Sequence, residues 1–345
     1  MNQELINMRK KYTKLMSECR EAVKGDNCMY CNKPLTSFHH SHSVPQFILY
    51  NIAKEGKVAY YNTFMGIPIT KEELGVREAG TFKLLCSDCD KNVFKDYEDS
   101  EKILTFPNNQ ILAQIALKNF LLYIHQRLIE EEMEKKMRGK GFLYQDYIEV
   151  SHNVKKLDLN DWQWSFKRAK KILDKNLKSG YKVLFWHKLD YVVPITFQKT
   201  VTLYGDLNGR IINDIYNFSS DIKMQDLHIC IFPQAKETIL LLFYHKDDRN
   251  YFNFDRQFNS LSLDEKLKLI NYIIFRYTDA YFISPNVMNQ LIENEILFRL
   301  NMKSDILRAH TMEDLQYFKK RNMSELKMYS NFDIPNLLNE KFSMR

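Results

Sequence analysis

No run of apolar residues in this 345-residue chain approaches the roughly 18 that a membrane-spanning helix needs. The first 24 residues are charged throughout, so a secretory leader is not expected and the protein reads as cytoplasmic. Internal repeats and low-complexity segments are lacking too. A large net charge is lacking: 50 Lys/Arg against 43 Asp/Glu give +7, enough to permit a polyanionic partner but not to demand one. The small excess is concentrated. Residues 107–180 carry 14 Lys/Arg against 9 Asp/Glu, whereas residues 1–106 carry 15 against 14 and residues 181–345 carry 21 against 20.

Apolar side chains are not lacking. They make up 45% of the residues, with 13% aromatic, so the composition supports packed cores and rules out a disordered chain. The length calls for two or three domains. Leu5, Met8, Tyr12, Leu15, Cys19 and Val23 recur at helical spacing and predict an amphipathic helix over residues 2–24, stopped by Gly25. Asn108 is placed to cap a long helix through Ile111, Ile115, Leu122 and Ile129 that ends near Gly139 and Gly141. A second helix is expected over residues 159–177, with Trp162, Phe166, Ala169, Leu173 and Leu177 on one face and Lys167, Lys171, Lys175 and Lys178 on the other. Beyond Gly180 the texture becomes β-branched and aromatic. Strands are expected within residues 181–186, 191–204, 227–232 and 238–244, then helices over 263–277, 285–301 and 311–326. The predicted fold class is α+β, in three parts. Residues 1–106 form a metal module, residues 107–180 a basic helical bridge, and residues 181–345 an α+β domain with an antiparallel sheet.

Four of the six cysteines form two C-x-x-C pairs, Cys28/Cys31 and Cys86/Cys89. In a chain of this size such pairs read as metal ligands before disulfides. Two thiolates three residues apart grip an ion from a tight turn, and two such turns complete the tetrahedron of a structural zinc site. With 54 residues between Cys31 and Cys86, zinc would clamp the ends of a long loop. Cys19 and Cys230 sit in apolar stripes and read as core.

Between the pairs lies Phe38-His39-His40-Ser41-His42-Ser43-Val44-Pro45, and after the second pair Asp90-Lys91-Asn92-Val93-Phe94-Lys95-Asp96-Tyr97-Glu98. In an extended strand His40 and His42 share a face, leaving His39 to be solvent-facing or packed. Eight helical residues span about 12 Å, which would keep Asp90 and Glu98 from sharing one ion and leave Glu98 a structural acceptor. Over residues 26–98 the pattern resembles the HNH (ββα-metal) endonucleases with zinc knuckles, in a bacterial branch. His42-Ser43-Val44-Pro45 looks like that family's catalytic strand, and Cys89-Asp90 with Phe94 and Glu98 looks like the start of its helix. The resemblance implies cleavage of a phosphodiester, with His42 as general base and a divalent ion at the leaving group. Asp90 would hold that ion, with Asn92 as the second candidate, and such oxygen ligands suit magnesium or manganese. Most of that family carry a metal-ligating acid just before the histidine. Here the position is Ser41, so His40 or water would supply the ligand.

Residues 135–178 hold twelve Lys/Arg against five Asp/Glu. Lys167, Arg168, Lys170 and Lys171, beside Trp162, Trp164 and Phe166, are candidate contacts to nucleic acid. His187, His228 and His245 sit in separate apolar strands and read as satisfied core histidines. DNA is the expected substrate, with RNA left open as an alternative, and chains of this plan resemble bacterial defence or mobile-element nucleases. The C-terminal part would then bind a partner, form oligomers or regulate cutting. The alternative is a zinc module that binds nucleic acid or protein without cutting.

Overall fold

The computed structural model describes residues 3–35, 39–64, 67–138, 145–278, 280–288, 291, 294, 296 and 312–344. It is a mixed helix-and-sheet protein with antiparallel strands, the α+β class expected. Among the described residues no helix is long and apolar enough to cross a membrane.

The N-terminal helix, α1 (Gln3–Ala22), lays Leu15 and Cys19 against Ile129 and Met133. A two-stranded ribbon follows, β1 (Ser41–His42) pairing with β4 (Thr81–Phe82), and it leads into α3 (Ser87–Val93). Between the ribbon strands the chain makes α2 (Gln46–Ile52) and a hairpin, β2 (Lys57–Phe64) and β3 (Ile67–Gly75). This stretch has no clear alternation in sequence and reads as irregular. It becomes a hairpin because β2 finds an open sheet edge far along the chain, where Ala59 pairs with Ile283.

That sheet has seven antiparallel strands in the order β3-β2-β9-β6-β7-β8-β5. Its remaining members are β5 (Tyr181–Leu189), β6 (Ile195–Val201), β7 (Leu227–Pro233), β8 (Thr238–His245) and β9 (Ala280–Ile283). The sheet therefore draws strands from both the first and the last of the three sequence segments. Every residue of β7 and β8 is buried. The period-2 alternation explains it. Leu227, Ile229, Ile231, Leu240, Leu242 and Tyr244 enter one core, while Cys230, Phe232, Ile239, Leu241 and Phe243 enter another on the opposite face. A sheet covered on both faces needs continuous apolar strands, and these two have them.

One face is covered by α6 (Tyr251–Asn259) and α7 (Leu263–Tyr277), the latter begun by a capping box of Ser262 and Glu265. Tyr251, Phe254 and Phe258 are fully buried there, so the aromatic density of residues 244–254 is core apart from the exposed Phe252. The other face is covered by α2, α4 (Asn109–Arg138) and α5 (Gln145–Asp174), together with the cysteine-rich segment. Asn108 caps α4, accepting the N–H groups of Gln110 and Ile111 at 2.9 and 3.0 Å. The α5 helix starts earlier than its apolar stripe suggests. The expected break at Gly139 and Gly141, and most of the helix expected over 285–301, lie outside the described residues. The last helix, α8 (Met312–Glu325), is tied to α7 by a buried Arg276–Glu325 ion pair of 2.7 Å.

Candidate metal centre

The two cysteine pairs meet. The Sγ atoms of Cys28, Cys31, Cys86 and Cys89 all lie within 4.8 Å of one another. The first pair stands on a tight turn in which Asn32 takes φ 59° and donates its N–H to the Cys28 carbonyl at 2.8 Å. The second opens α3, with Cys86 as its N-cap. Backbone N–H groups point at the sulfurs, from Cys86 to Cys28 at 3.3 Å and from Cys89 to Cys86 at 3.4 Å. The separation of Cys31 and Cys86 sulfurs is 3.9 Å, close to the edge of about 3.8 Å that a tetrahedron with zinc–sulfur bonds of about 2.3 Å would have. Burial pushes the Cys28 and Cys89 thiols up, while the Lys33 backbone N–H draws Cys31 down to about 7. Four sulfurs this close cannot all ionise without a cation between them. The donor set fits zinc.

One turn further, Asp90 is the only buried residue of α3. Three side chains converge on it. Ser41 Oγ donates to its Oδ1 at 2.6 Å, and Lys118 Nζ, from the middle of α4, donates to the same oxygen at 2.9 Å. His39 Nε2 lies 3.2 Å from Oδ2. Lys118 also reaches Glu98 Oε1 at 3.1 Å, and its ammonium sits 3.9 Å from the centroid of the Phe94 ring. Burial alone would raise the Asp90 carboxyl, but the Lys118 charge and the Ser41 hydroxyl outweigh it and hold it below the usual range. Glu98 goes the other way. There burial outweighs Lys118 and pushes the carboxyl up.

Lys118 thus bridges Asp90 and Glu98, which lie closer together than a continuous helix would place them. The 12 Å separation expected from helical rise does not arise, because α3 ends at Val93 and the chain turns back onto α4. Sequence reasoning missed Lys118 and set His39 aside. Lys118 carries a signal that could have been read: it is the one charged residue between Lys102 and Arg127, set in an otherwise apolar helix. His39 shares strand parity with Ser41, whose hydroxyl reaches Asp90.

The neighbouring parity belongs to His40 and His42. His42 is half-buried, with Nε2 at 3.3 Å from the Val76 carbonyl. Burial pushes its imidazole below the ordinary range, against the pull of that carbonyl, and the charges of Lys118 and Asp90 both act on it. His40 is exposed near Lys83, Lys24 and Glu21 rather than at Asp90. Asn92 is exposed two residues beyond Asp90, a spacing that puts the two on different faces of a helix. Gly80 closes the ribbon at φ 67°, its carbonyl accepting the Ser43 N–H at 3.0 Å. A Cβ there would stand 2.4 Å from Ser43 Oγ.

The basic helix is divided. Arg168 grips Asp248 through two nitrogens at 2.9 and 3.3 Å and packs on Trp164, so it ties α5 to the sheet. Lys170 pairs with Asp174 at 2.5 Å and lies over Tyr30, one of the two residues between Cys28 and Cys31. Lys167, Lys171, Lys175 and Lys178 are exposed. His228 is fully buried and bonded to Asn119 at 3.1 Å, a satisfied core histidine. Comparison of the chain with models of protein families, with curated proteins and with solved structures finds no match.

Proposed function

We propose that the chain is a metal-dependent endonuclease of the HNH type that hydrolyses phosphodiester bonds in DNA. The observation carrying this reading is the 2.6 Å hydrogen bond from Ser41 to Asp90. It seats the strand that bears His42 on the helix opened by the second cysteine pair, which is the juxtaposition the resemblance implies. Zinc at the four thiolates would be structural, with no open position for substrate.

His42 acts as the base. Its ring is held by backbone groups of Val76 and Arg77, and burial favours the neutral imidazole that takes the proton of the attacking water. Held at Asp90, magnesium or manganese would polarise the scissile phosphate and stabilise the leaving oxygen. Lys118 keeps the Asp90 carboxylate ionised and fixed from beneath. The exposed lysines of α5, Lys167 and Lys171, hold flanking phosphates. The C-terminal sheet, which takes two strands from the module, is the part suited to regulate cutting through a partner or a second copy.

Two observations favour a second reading, a module that binds nucleic acid or protein without cutting: Lys118 already neutralises Asp90, and Ser41 stands where the family has an acid. Nicking of a supercoiled plasmid in magnesium or manganese separates the two. The nuclease reading expects cleavage by the wild type and a loss of at least a hundredfold in His42→Ala. Equal cleavage by both proteins removes His42 as the base, and no cleavage by either favours the binding module.

A further inference from the structure

We infer that the divalent ion of this site is held by His39 together with Asp90, and that the imidazole makes it a transition-metal site rather than a magnesium site. The inference rests on the nuclease reading only for the ion's use in cutting; the pair of ligands stands on geometry alone. Asp90 has one carboxylate oxygen left. Its Oδ1 already accepts from Ser41 at 2.6 Å and from Lys118 at 2.9 Å. Its Oδ2 faces His39 Nε2 at 3.2 Å. Adjacent ligand atoms on an octahedral ion with bonds of about 2.1 Å lie about 3.0 Å apart, so this gap is the edge of such a site with little movement needed.

The surroundings agree. The Asp90 side chain is 9% exposed and that of His39 is 45% exposed, so the pair spans the boundary between protein and solvent. An ion there would keep its remaining positions for water and phosphate oxygens. Lys118, with no exposure, lies on the buried side of the carboxylate and does not compete for Oδ2. Ser41 brings no charge and spends its hydroxyl on Oδ1. His40, the other candidate for the missing ligand, faces Lys83 and Glu21 instead. A nitrogen ligand in place of a carboxylate changes the choice of ion. Imidazole favours transition-metal ions, whereas magnesium and calcium favour oxygen alone; manganese, the weakest binder of the transition series, serves as the spectroscopic probe of the site.

The test is manganese binding by the full-length, zinc-containing protein, followed by electron paramagnetic resonance. Wild type should bind one manganese at this site, with nitrogen hyperfine modulation from a directly bound imidazole, and a tenfold excess of magnesium should displace little of it. His39→Ala should lose the modulation and at least tenfold in affinity, as should Asp90→Asn in affinity. His39→Glu should recover binding while magnesium becomes an effective competitor. Modulation and affinity unchanged in His39→Ala would overturn the inference, and so would a wild type that binds no manganese at millimolar concentration. The two readings fail separately. Plasmid nicking without any dependence of manganese binding on His39 leaves the nuclease and removes this ligand. Manganese bound through His39 without nicking leaves the ligand and removes the nuclease.

Discussion

Around Asp90 the buried groups include a carboxylate and an ammonium that depend on each other, whereas across β7 and β8 they are mostly hydrocarbon. The first region packs a carboxylate, a fully buried ammonium and four thiols into a few turns of chain with one two-stranded ribbon. The second buries whole strands on both faces. Apolar burial adds up over many side chains, each worth roughly 1.5–3 kcal/mol, and tolerates the loss of one. A cluster of charges and sulfurs does not, because removing one member leaves the others buried without a partner. The sheet should therefore soften by degrees, and the module should fail at single atoms.

The largest expected effect is at the sulfurs. Metal bound by four thiolates contributes on the order of 10 kcal/mol to a small module's folding. Wild type should contain one zinc per chain by elemental analysis, and Cys86→Ser should lose it. The module covers one face of the sheet, so the variant should also lose solubility as Phe232, Leu241 and Phe243 become exposed. A metal-free wild type with a Cys28–Cys31 disulfide would break this half of the comparison.

Lys118 comes next. In Lys118→Met the side chain keeps its length against Phe82 and Phe94, but Asp90 and Glu98 lose their shared cation. Stranding one side of a buried ion pair costs about 3–5 kcal/mol, and the part-exposed Glu98 places this case toward the low end. Denaturant unfolding should show that loss. Added manganese should restore part of it in the variant more than in wild type, because the carboxylates would then take their positive charge from the ion. Equal stability with and without Lys118 would mean that the charges are not as sequestered as the geometry implies.

The same contrast explains what could be read in advance. The helix α7, the caps of α4 and α7, and four of the sheet's strands follow from periodicity and local chemistry, which a short window of sequence contains. The cysteine pairs also announce themselves, since their spacing is local. The β2–β3 hairpin does not, because its edge partner, β9, lies more than 200 residues away and no local alternation marks it. Nor does the Lys118–Asp90 contact, which depends on how α4 lies against the ribbon. His39 was set aside because the reading followed the face shared by His40 and His42, whereas Asp90 meets the other face, through Ser41 and through His39 two residues before it. Arg168 and Lys170 read as phosphate contacts from composition, yet each already has a carboxylate partner.

That division of the basic helix gives the smallest and most selective expectation. Lys167 and Lys171 are exposed, so Lys167→Ala with Lys171→Ala should change stability by no more than about 0.5 kcal/mol. If both touch phosphates, DNA affinity should fall, and the slope of log K against log salt should shrink by about one for each. Arg168→Ala should do the reverse. It strands Asp248, which is 6% exposed, so stability should fall while the salt slope stays unchanged. Binding measured by fluorescence anisotropy at four salt concentrations, beside unfolding curves for the same proteins, reads both quantities. A salt slope that moved with Arg168 and not with the lysines would place the nucleic acid on another face, because a guanidinium already held by a buried carboxylate cannot release counterions from DNA without first giving up that partner.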